Sequence, residues 1–325
     1  MSGKSNLAKS QAEQETQTAE SFLDDPLSSH EEGHVVFWVE GGIGKNIAAT
    51  ASIDSIRAAY PDRKIVVLCS WPEVWLHNPK IHRFFKHGQH PYFFYDYIKG
   101  RDTVVMRNEP YCSQDYFYSK KHISQIFCEC NGVEFIGGKP EIYLTPTEVG
   151  ESIDALNVAP KPSLLLQTHG GLPQKDKRFS PWLRSLPFNL TIQLKQKLEE
   201  KFSIIQLRGK EQDEIPGTIQ VDYPLRIIMG MIKHAHKRLF IDSFAQHAAA
   251  AMGVESTVLW CGSSSNVFGY ESNKNIQAKL NLSNYKDIDA IFTEFPIEAM
   301  HHQCPVENDF NKMFDADEIA ATLLN

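Results

Sequence analysis

An apolar run that ends directly in glycines constrains this chain more than any other feature. Val35-Val36-Phe37-Trp38-Val39 leads into Gly41-Gly42-Ile43-Gly44, and Ala49, Ile53, Ile56 and Tyr60 follow at helical spacing. Unbroken apolar runs, as opposed to alternating ones, mark strands covered on both faces. Pro61-Asp62 stops the helix, and Ile65 to Cys69 supplies a second such run. Strand, glycine turn, helix and strand in that order give a right-handed crossover between parallel strands. The same half is expected to hold strands at Asp102 to Met106 and Glu141 to Leu144, and a helix from Tyr118 to Cys130 with Ile123, Ile126, Phe127 and Cys130 on one face.

The alternation then begins again. Thr145 to Pro162 carries three prolines among small and polar residues, which reads as the joint between two units. Beyond it, strands are expected at Ser163 to Gln167, Ser203 to Leu207, Arg238 to Ile241 and Thr257 to Trp260. Helices are expected at Ile192 to Phe202, Leu225 to His236 behind Pro224, and Phe244 to Met252. A closing helix is expected at Ala316 to Leu324, with Asp315 and Glu318 spaced as a capping box. The expected division is a disordered acidic tail at 1–33, an α/β domain at 34–150, a linker at 151–162, a second α/β domain at 163–300 and a C-terminal segment at 301–325. Two open α/β layers in tandem imply a cleft between them.

Composition narrows the class. Residues 1–33 carry two lysines against seven acids, and the remainder carries 31 basic against 33 acidic side chains, so the folded body is close to neutral. No apolar run approaches the roughly 18–20 residues that cross a bilayer, and no basic-then-apolar leader opens the chain. No transmembrane segment is expected, and a cytoplasmic location with six reduced cysteines is the simplest expectation.

Two motifs carry chemistry. Glu40-Gly41-Gly42-Ile43-Gly44-Lys45-Asn46 joins a buried strand to a helix, where glycines let a backbone approach a ligand and the helix start offers unpaired N–H groups. It matches neither the P-loop spacing nor the dinucleotide fingerprint, so it does not point to ATP or NAD, and taken alone it reads as a tight turn. Ile241-Asp242-Ser243-Phe244-Ala245-Gln246-His247, followed by four alanines, Met252 and Gly253, places an acid and a serine where a strand becomes a helix. Ser243 and the N–H groups behind it suit a diphosphate, and Asp242 and His247 suit sugar or phosphate; a capped helix with a buried histidine explains the same residues. Cys128-Glu129-Cys130 with His122 and Cys112, and His301-His302-Gln303-Cys304, lack the paired spacing of a zinc site. The aromatic runs at His90 to Tyr97 and Tyr111 to Tyr118 serve core packing or stacking on sugars and bases.

Taken together, Gly41 to Gly44, Ala49-Thr50, Ile56-Arg57, Tyr60-Pro61, the Asp242 to Gly253 stretch and Val258 to Gly262 resemble the heptosyltransferase family of GT-B glycosyltransferases, over roughly residues 34–270. The resemblance implies two Rossmann-like domains facing across a cleft, with the acceptor mainly on the first and the nucleotide sugar mainly on the second. It also implies inverting, metal-independent transfer, with a nucleotide-sugar co-substrate and no cofactor. The family's Asp-Ser/Thr-Gly-x-x-His motif matches Asp242, Ser243 and His247, with Phe244 in place of glycine. Thr168, Lys175 or Lys177, and Glu211 resemble further donor contacts, and Arg208 is an alternative cation for the leaving diphosphate. Gly41, Gly42, Gly44, Lys45 and Asn46 would form the acceptor side. Lys45 stands where the family typically carries its activating aspartate, so the base is sought among Asp115 and Glu40 first, then Glu73.

The leading reading is therefore sugar transfer from a nucleoside-diphosphate sugar to a hydroxyl acceptor, either a saccharide or, in an alternative, a hydroxymethylated base in DNA. A binding protein that has lost its base is the competing class, motivated by Lys45 and Phe244. An NAD-dependent oxidoreductase ranks last for want of a glycine fingerprint.

Overall fold

A computed structural model describes residues 33–118, 120–170, 184–210, 212–279 and 312–325. Nearly all of the expected tail lies outside them. The first half runs β1 (His34–Val39), α1 (Ile43–Thr50), α2 (Ile53–Ala59), β2 (Lys64–Cys69), α3 (Pro72–Trp75), β3 (Arg83–Lys86), α4 (Phe93–Tyr97), β4 (Thr103–Met106), α5 (Gln114–Phe117) and α6 (Ile123–Glu129). Its sheet has the order β3-β2-β1-β4, with every pair parallel. Central β1 is buried along almost its whole length, as its unbroken apolar run demands.

After α7 (Pro146–Asn157), the second half runs β5 (Ser163–Leu166), α8 (Phe188–Leu198), β6 (Ser203–Gln206), β7 (Ile219–Gln220), α9 (Leu225–His234), β8 (Lys237–Ile241), α10 (Phe244–Ala251), β9 (Thr257–Trp260), α11 (Ser265–Phe268), β10 (Lys274–Gln277) and α12 (Ala316–Leu324). Its six strands are again all parallel, in the order β10-β9-β8-β5-β6-β7. Two all-parallel sheets confirm the α/β class. Among the described residues no helix is long and apolar enough to cross a membrane.

Several elements differ from expectation, each for a physical reason. The single helix expected after the glycines breaks at Ala51-Ser52. There Ala51 and Ser52 N–H groups tighten onto the carbonyls of Ala48 and Ala49, and Thr50 Oγ1 accepts from Glu141 N at 2.8 Å. Glu141 to Leu144 is not a strand; it crosses that break as irregular backbone. The fourth strand of the sheet is instead β3, whose half-exposed Arg-Phe-Phe-Lys pattern lacks the signature of a buried strand. The helix expected from Tyr118 starts at Ile123, because His122 Nδ1 accepts from Ser124 N and caps it.

The proline-containing stretch expected to be a linker is mostly helix. Thr145 and Glu148 form a reciprocal capping box and Pro146 occupies the first turn, so these residues start α7 instead of interrupting structure. α7 packs on α9 at Gly230, where a methyl group would lie 1.9 Å from Ser152 Oγ, and Ser152 Oγ donates to Ile227 O at 3.1 Å. The buried Arg226 guanidinium ties this joint to the first half. It donates to both oxygens of Glu148 at 2.7 Å, to Glu73 O at 2.8 Å and to Tyr143 O at 2.5 Å. Asp315 caps α12 by accepting from Asp317 N and Glu318 N, and the helix lays Ile319, Ala320 and Leu323 against Leu190, Leu194 and Leu198 of α8.

Candidate functional site at the meeting of two helix starts

Each sheet sends a strand into a helix at its carboxyl edge, β1 into α1 and β8 into α10. In open parallel sheets that edge is where ligands bind. Here the two edges meet. A methyl group on Gly44 would lie 2.9 Å from His247 Cδ2 and 3.4 Å from Phe244 Cα, so the two motifs separated by about two hundred residues touch. Small side chains make this approach feasible, since Ala48 and Ala49 of α1 and Ala245, Ala248 and Ala249 of α10 are fully buried.

On the α10 side, Ser243 is the N-cap in an extended conformation, and its hydroxyl makes no capping bond. The first-turn N–H groups of this eight-residue helix are therefore not met by that side chain, and they form a positive end suited to an anion. Asp242 is buried, and among the described residues its Oδ2 has no hydrogen-bond partner. Arg184 Nε lies 3.6 Å from that oxygen and donates to the Asp242 carbonyl at 2.9 Å. A buried carboxylate oxygen that has an ion pair but no hydrogen bond among the described residues is incompletely satisfied, which suits a donor from outside the chain.

His247 hydrogen-bonds through Nδ1 to Tyr270 Oη at 2.7 Å. Burial, with His122 and Arg184 nearby, lowers its pKa to about 3, so its ring is neutral at physiological pH. It is thus a polar group held in place by Tyr270. Burial likewise lowers His122 to about 4 and raises Tyr270. Rings from both halves close this region: Tyr111 and Tyr116 lie edge-on to Phe268 at 6.2 and 6.1 Å, and His122 lies edge-on to Tyr270 at 5.1 Å.

On the α1 side, Gly41 has φ +97, a conformation that glycine adopts without strain, and its N–H donates to Ser70 Oγ. Gly42 caps α1 with open space around it. Asn46 is fully buried, and its side chain bonds Gly42 O and Trp75 Nε1, which makes it a brace for the loop. The Lys45 side chain is only 8% exposed. Its Nζ donates to both carboxylate oxygens of Glu109, at 2.7 and 2.6 Å, and lies 4.9 Å from the centre of the Tyr111 ring. Sequence reasoning missed Glu109.

The other sequence candidates are spread out. Asp115 is paired with Lys121 at 2.8 Å, which also holds Glu129. Glu40 turns to Arg107 at 3.4 Å and His87 at 4.0 Å, beside the Trp38 ring on which Arg107 stacks. Thr168 is buried after β5, with Oγ1 bonded to His169 Nδ1 at 2.8 Å. Arg208 is committed to shaping its own loop, bonding Gln220 Oε1, Gln212 O and Glu214 Oε2. Lys175, Lys177 and Glu211 lie outside the described residues. Cys128 is buried and hydrogen-bonded to Ser52 and Ser55, and among the described residues no group of three His, Cys, Asp or Glu side chains is placed to hold a metal ion.

No family model and no curated sequence matches the chain. Solved structures do. The glycosyl transferase family 9 protein of Veillonella parvula superposes with a TM-score of 0.55 at 13% identity, covering 86% of this chain and 97% of that one. The ADP-heptose LPS heptosyltransferase II of E. coli gives 0.58 at 12% identity, covering 90% and 98%. The iron-containing dodecameric glycosyltransferase TibC of enterotoxigenic E. coli gives 0.59 at 11% identity, covering 90% and 75%.

The fold is GT-B.

In GT-B terms, α1 and its glycine loop belong to the first sheet's side of the cleft, and Asp242, Ser243 and His247 belong to the second. The close approach of Gly44 to His247 is one point where the two sides meet.

Proposed function

We propose that the protein transfers a glycosyl group from a nucleoside-diphosphate sugar to a hydroxyl acceptor, with inversion and without a metal. One observation carries the reading: a helix start at Ser243 without a side-chain cap, next to a buried Asp242 oxygen that has no hydrogen bond among the described residues, set against a glycine loop from the facing sheet. A diphosphate would take the N–H groups of α10, as anions do at helix starts. Sugar hydroxyls would donate to Asp242 and exchange hydrogen bonds with neutral His247. Thr168 would border the same pocket from β5, the strand next to β8. The likeness to heptosyltransferases, one of them solved with ADP-D-beta-D-heptose, supports trying ADP-heptose first as donor.

The test is a thermal-shift screen with ADP, UDP, GDP, CMP, ADP-heptose and the common sugar nucleotides, repeated with Asp242→Ala and His247→Ala. A ligand present at about a hundredfold its Kd raises stability by about 2.7 kcal/mol. The reading expects a shift with one nucleoside diphosphate and its sugar that both substitutions abolish. No shift with any of them, or a shift that both variants retain, would refute it.

A further inference from the structure

We propose that Glu109 is the general base of this transfer and that Lys45 is the positioning residue that aims it; the inference rests on the glycosyl-transfer reading above. β4 runs parallel beside β1, with Met106 opposite Phe37, so the chain leaving β4 emerges next to the glycine loop at the same edge of the sheet. Glu109 lies three residues past that strand, and Lys45 lies in the first turn of α1, next to the Gly44 that abuts His247. Acid and glycine loop are thus brought together by sheet register alone.

The pair is asymmetric in a way that suits a base. Lys45 is nearly enclosed, whereas the Glu109 side chain is 43% exposed, so the cation is held inside and the carboxylate is presented outward. Glu109 Oε1 accepts from Lys45 and from Tyr111 N at 3.3 Å, while among the described residues Oε2 accepts from Lys45. Each carboxylate oxygen has two lone pairs, which leaves Oε2 with acceptor capacity for a hydroxyl. Gly41 lies against the lysine stem, where a methyl group would be 3.1 Å from Lys45 Cδ. Asp115 and Glu40 make no such pairing with the glycine-loop helix; their partners are Lys121, Arg107 and His87.

In the step itself, the acceptor oxygen forms a bond to the anomeric carbon as the bond from that carbon to the diphosphate oxygen breaks, and the electron pair leaves on the diphosphate. The hydroxyl proton passes to Glu109 Oε2 and from there to solvent. A carboxylate is too weak a base to ionise a free alcohol, but it can take the proton as bond formation acidifies the hydroxyl. Lys45 holds the carboxylate in one orientation through its bonds to both oxygens.

The experiment measures release of nucleoside diphosphate from ADP-heptose and from ADP, UDP and GDP hexoses by the full chain, with water as acceptor, alongside calorimetric binding of the nucleoside diphosphates. Glu109→Gln is expected to slow release by roughly 10²–10⁴-fold with binding unchanged, and Glu109→Asp to restore part of the rate. Lys45→Met is expected to lower the rate of release while nucleoside-diphosphate binding stays unchanged, and Lys45→Arg to restore part of that rate, because only a cation at this place holds the carboxylate in one orientation. The double variant Lys45→Met with Glu109→Gln leaves no charge unpaired, so a slow rate in that folded protein does not reflect unfolding. Native rates in Glu109→Gln would overturn the assignment and leave glycosyl transfer standing. A native rate in Lys45→Met, or no rescue by Lys45→Arg, would overturn the role of the lysine. A native chain that binds a diphosphate yet releases none from any sugar nucleotide would overturn the base in favour of a binding protein, and failure to bind any diphosphate would remove the reading beneath both.

Discussion

Gly44 fixes how closely the two halves approach, and its substitution separates packing from loop flexibility. Gly44→Ala puts a methyl group 2.9 Å from the His247 ring, which Tyr270 holds by a 2.7 Å hydrogen bond, so the ring cannot swing away freely. Overpacking of this kind costs about 1–3 kcal/mol, against up to about 1 kcal/mol gained from alanine in a helix. The expected result is a less stable protein with weakened nucleotide affinity, read by chemical denaturation and calorimetry. Gly42→Ser, at an N-cap with open space around it, is expected to be neutral or slightly stabilising. If both variants behave alike, close approach at Gly44 is not what matters. At this scale the strand-to-helix passage of the candidate site is legible, because Asp242, Ser243 and His247 sit in one contiguous stretch. Glu109 was not legible, because its meaning comes from Lys45, 64 residues away, and nothing local marks a lone acid in a polar loop.

At the level of elements, both sheets were readable because buried parallel strands are unbroken apolar runs, while half-exposed β3 and the two-residue β7 carry no such signal. The stretch expected as a linker is helical for a reason that is itself physical: proline and small polar residues mark a helix start as well as a linker, and the Thr145–Glu148 reciprocity separates the two. That joint carries a pH dependence. Hydrogen bonds from Arg226, more than any other influence, lower the Glu148 pKa to about 2 from an ordinary 4.5. A carboxylate depressed on folding contributes stability that is fully present above the unfolded value, near 4.5, and lost as pH falls through about 2. A shift of that size corresponds to roughly 3 kcal/mol at neutral pH. Urea unfolding of the native chain and Glu148→Gln is expected to differ by that order at pH 7 and to converge as pH approaches 2. A gap that stays constant from pH 7 to 2 would show that the pairing is not what Glu148 contributes.

For the molecule as a whole, the question is whether the two halves behave as one body. Among the described residues they are joined at three places: α1 against α10, α7 against α9 with Arg226 reaching back to Glu73 and Tyr143, and the ring seam in which Phe268 meets Tyr111, Tyr116 and His247. Phe268 is 4% exposed and stands between the halves, so Phe268→Ala removes seam contacts without touching the first sheet. Truncating a buried phenylalanine costs about 3–5 kcal/mol, but the cost here falls on the contact between domains. The native chain is expected to unfold in one calorimetric transition, and a bound nucleoside diphosphate is expected to raise that transition as a whole. In Phe268→Ala two transitions are expected. Only one should respond to ligand, because the candidate donor residues Asp242, Ser243, His247 and Thr168 all follow strands of the second sheet and a ligand stabilises the unit that binds it. If Phe268→Ala keeps a single transition that the ligand still raises as a whole, the halves are coupled through α7 and Arg226, and the ring seam serves only to cover the site.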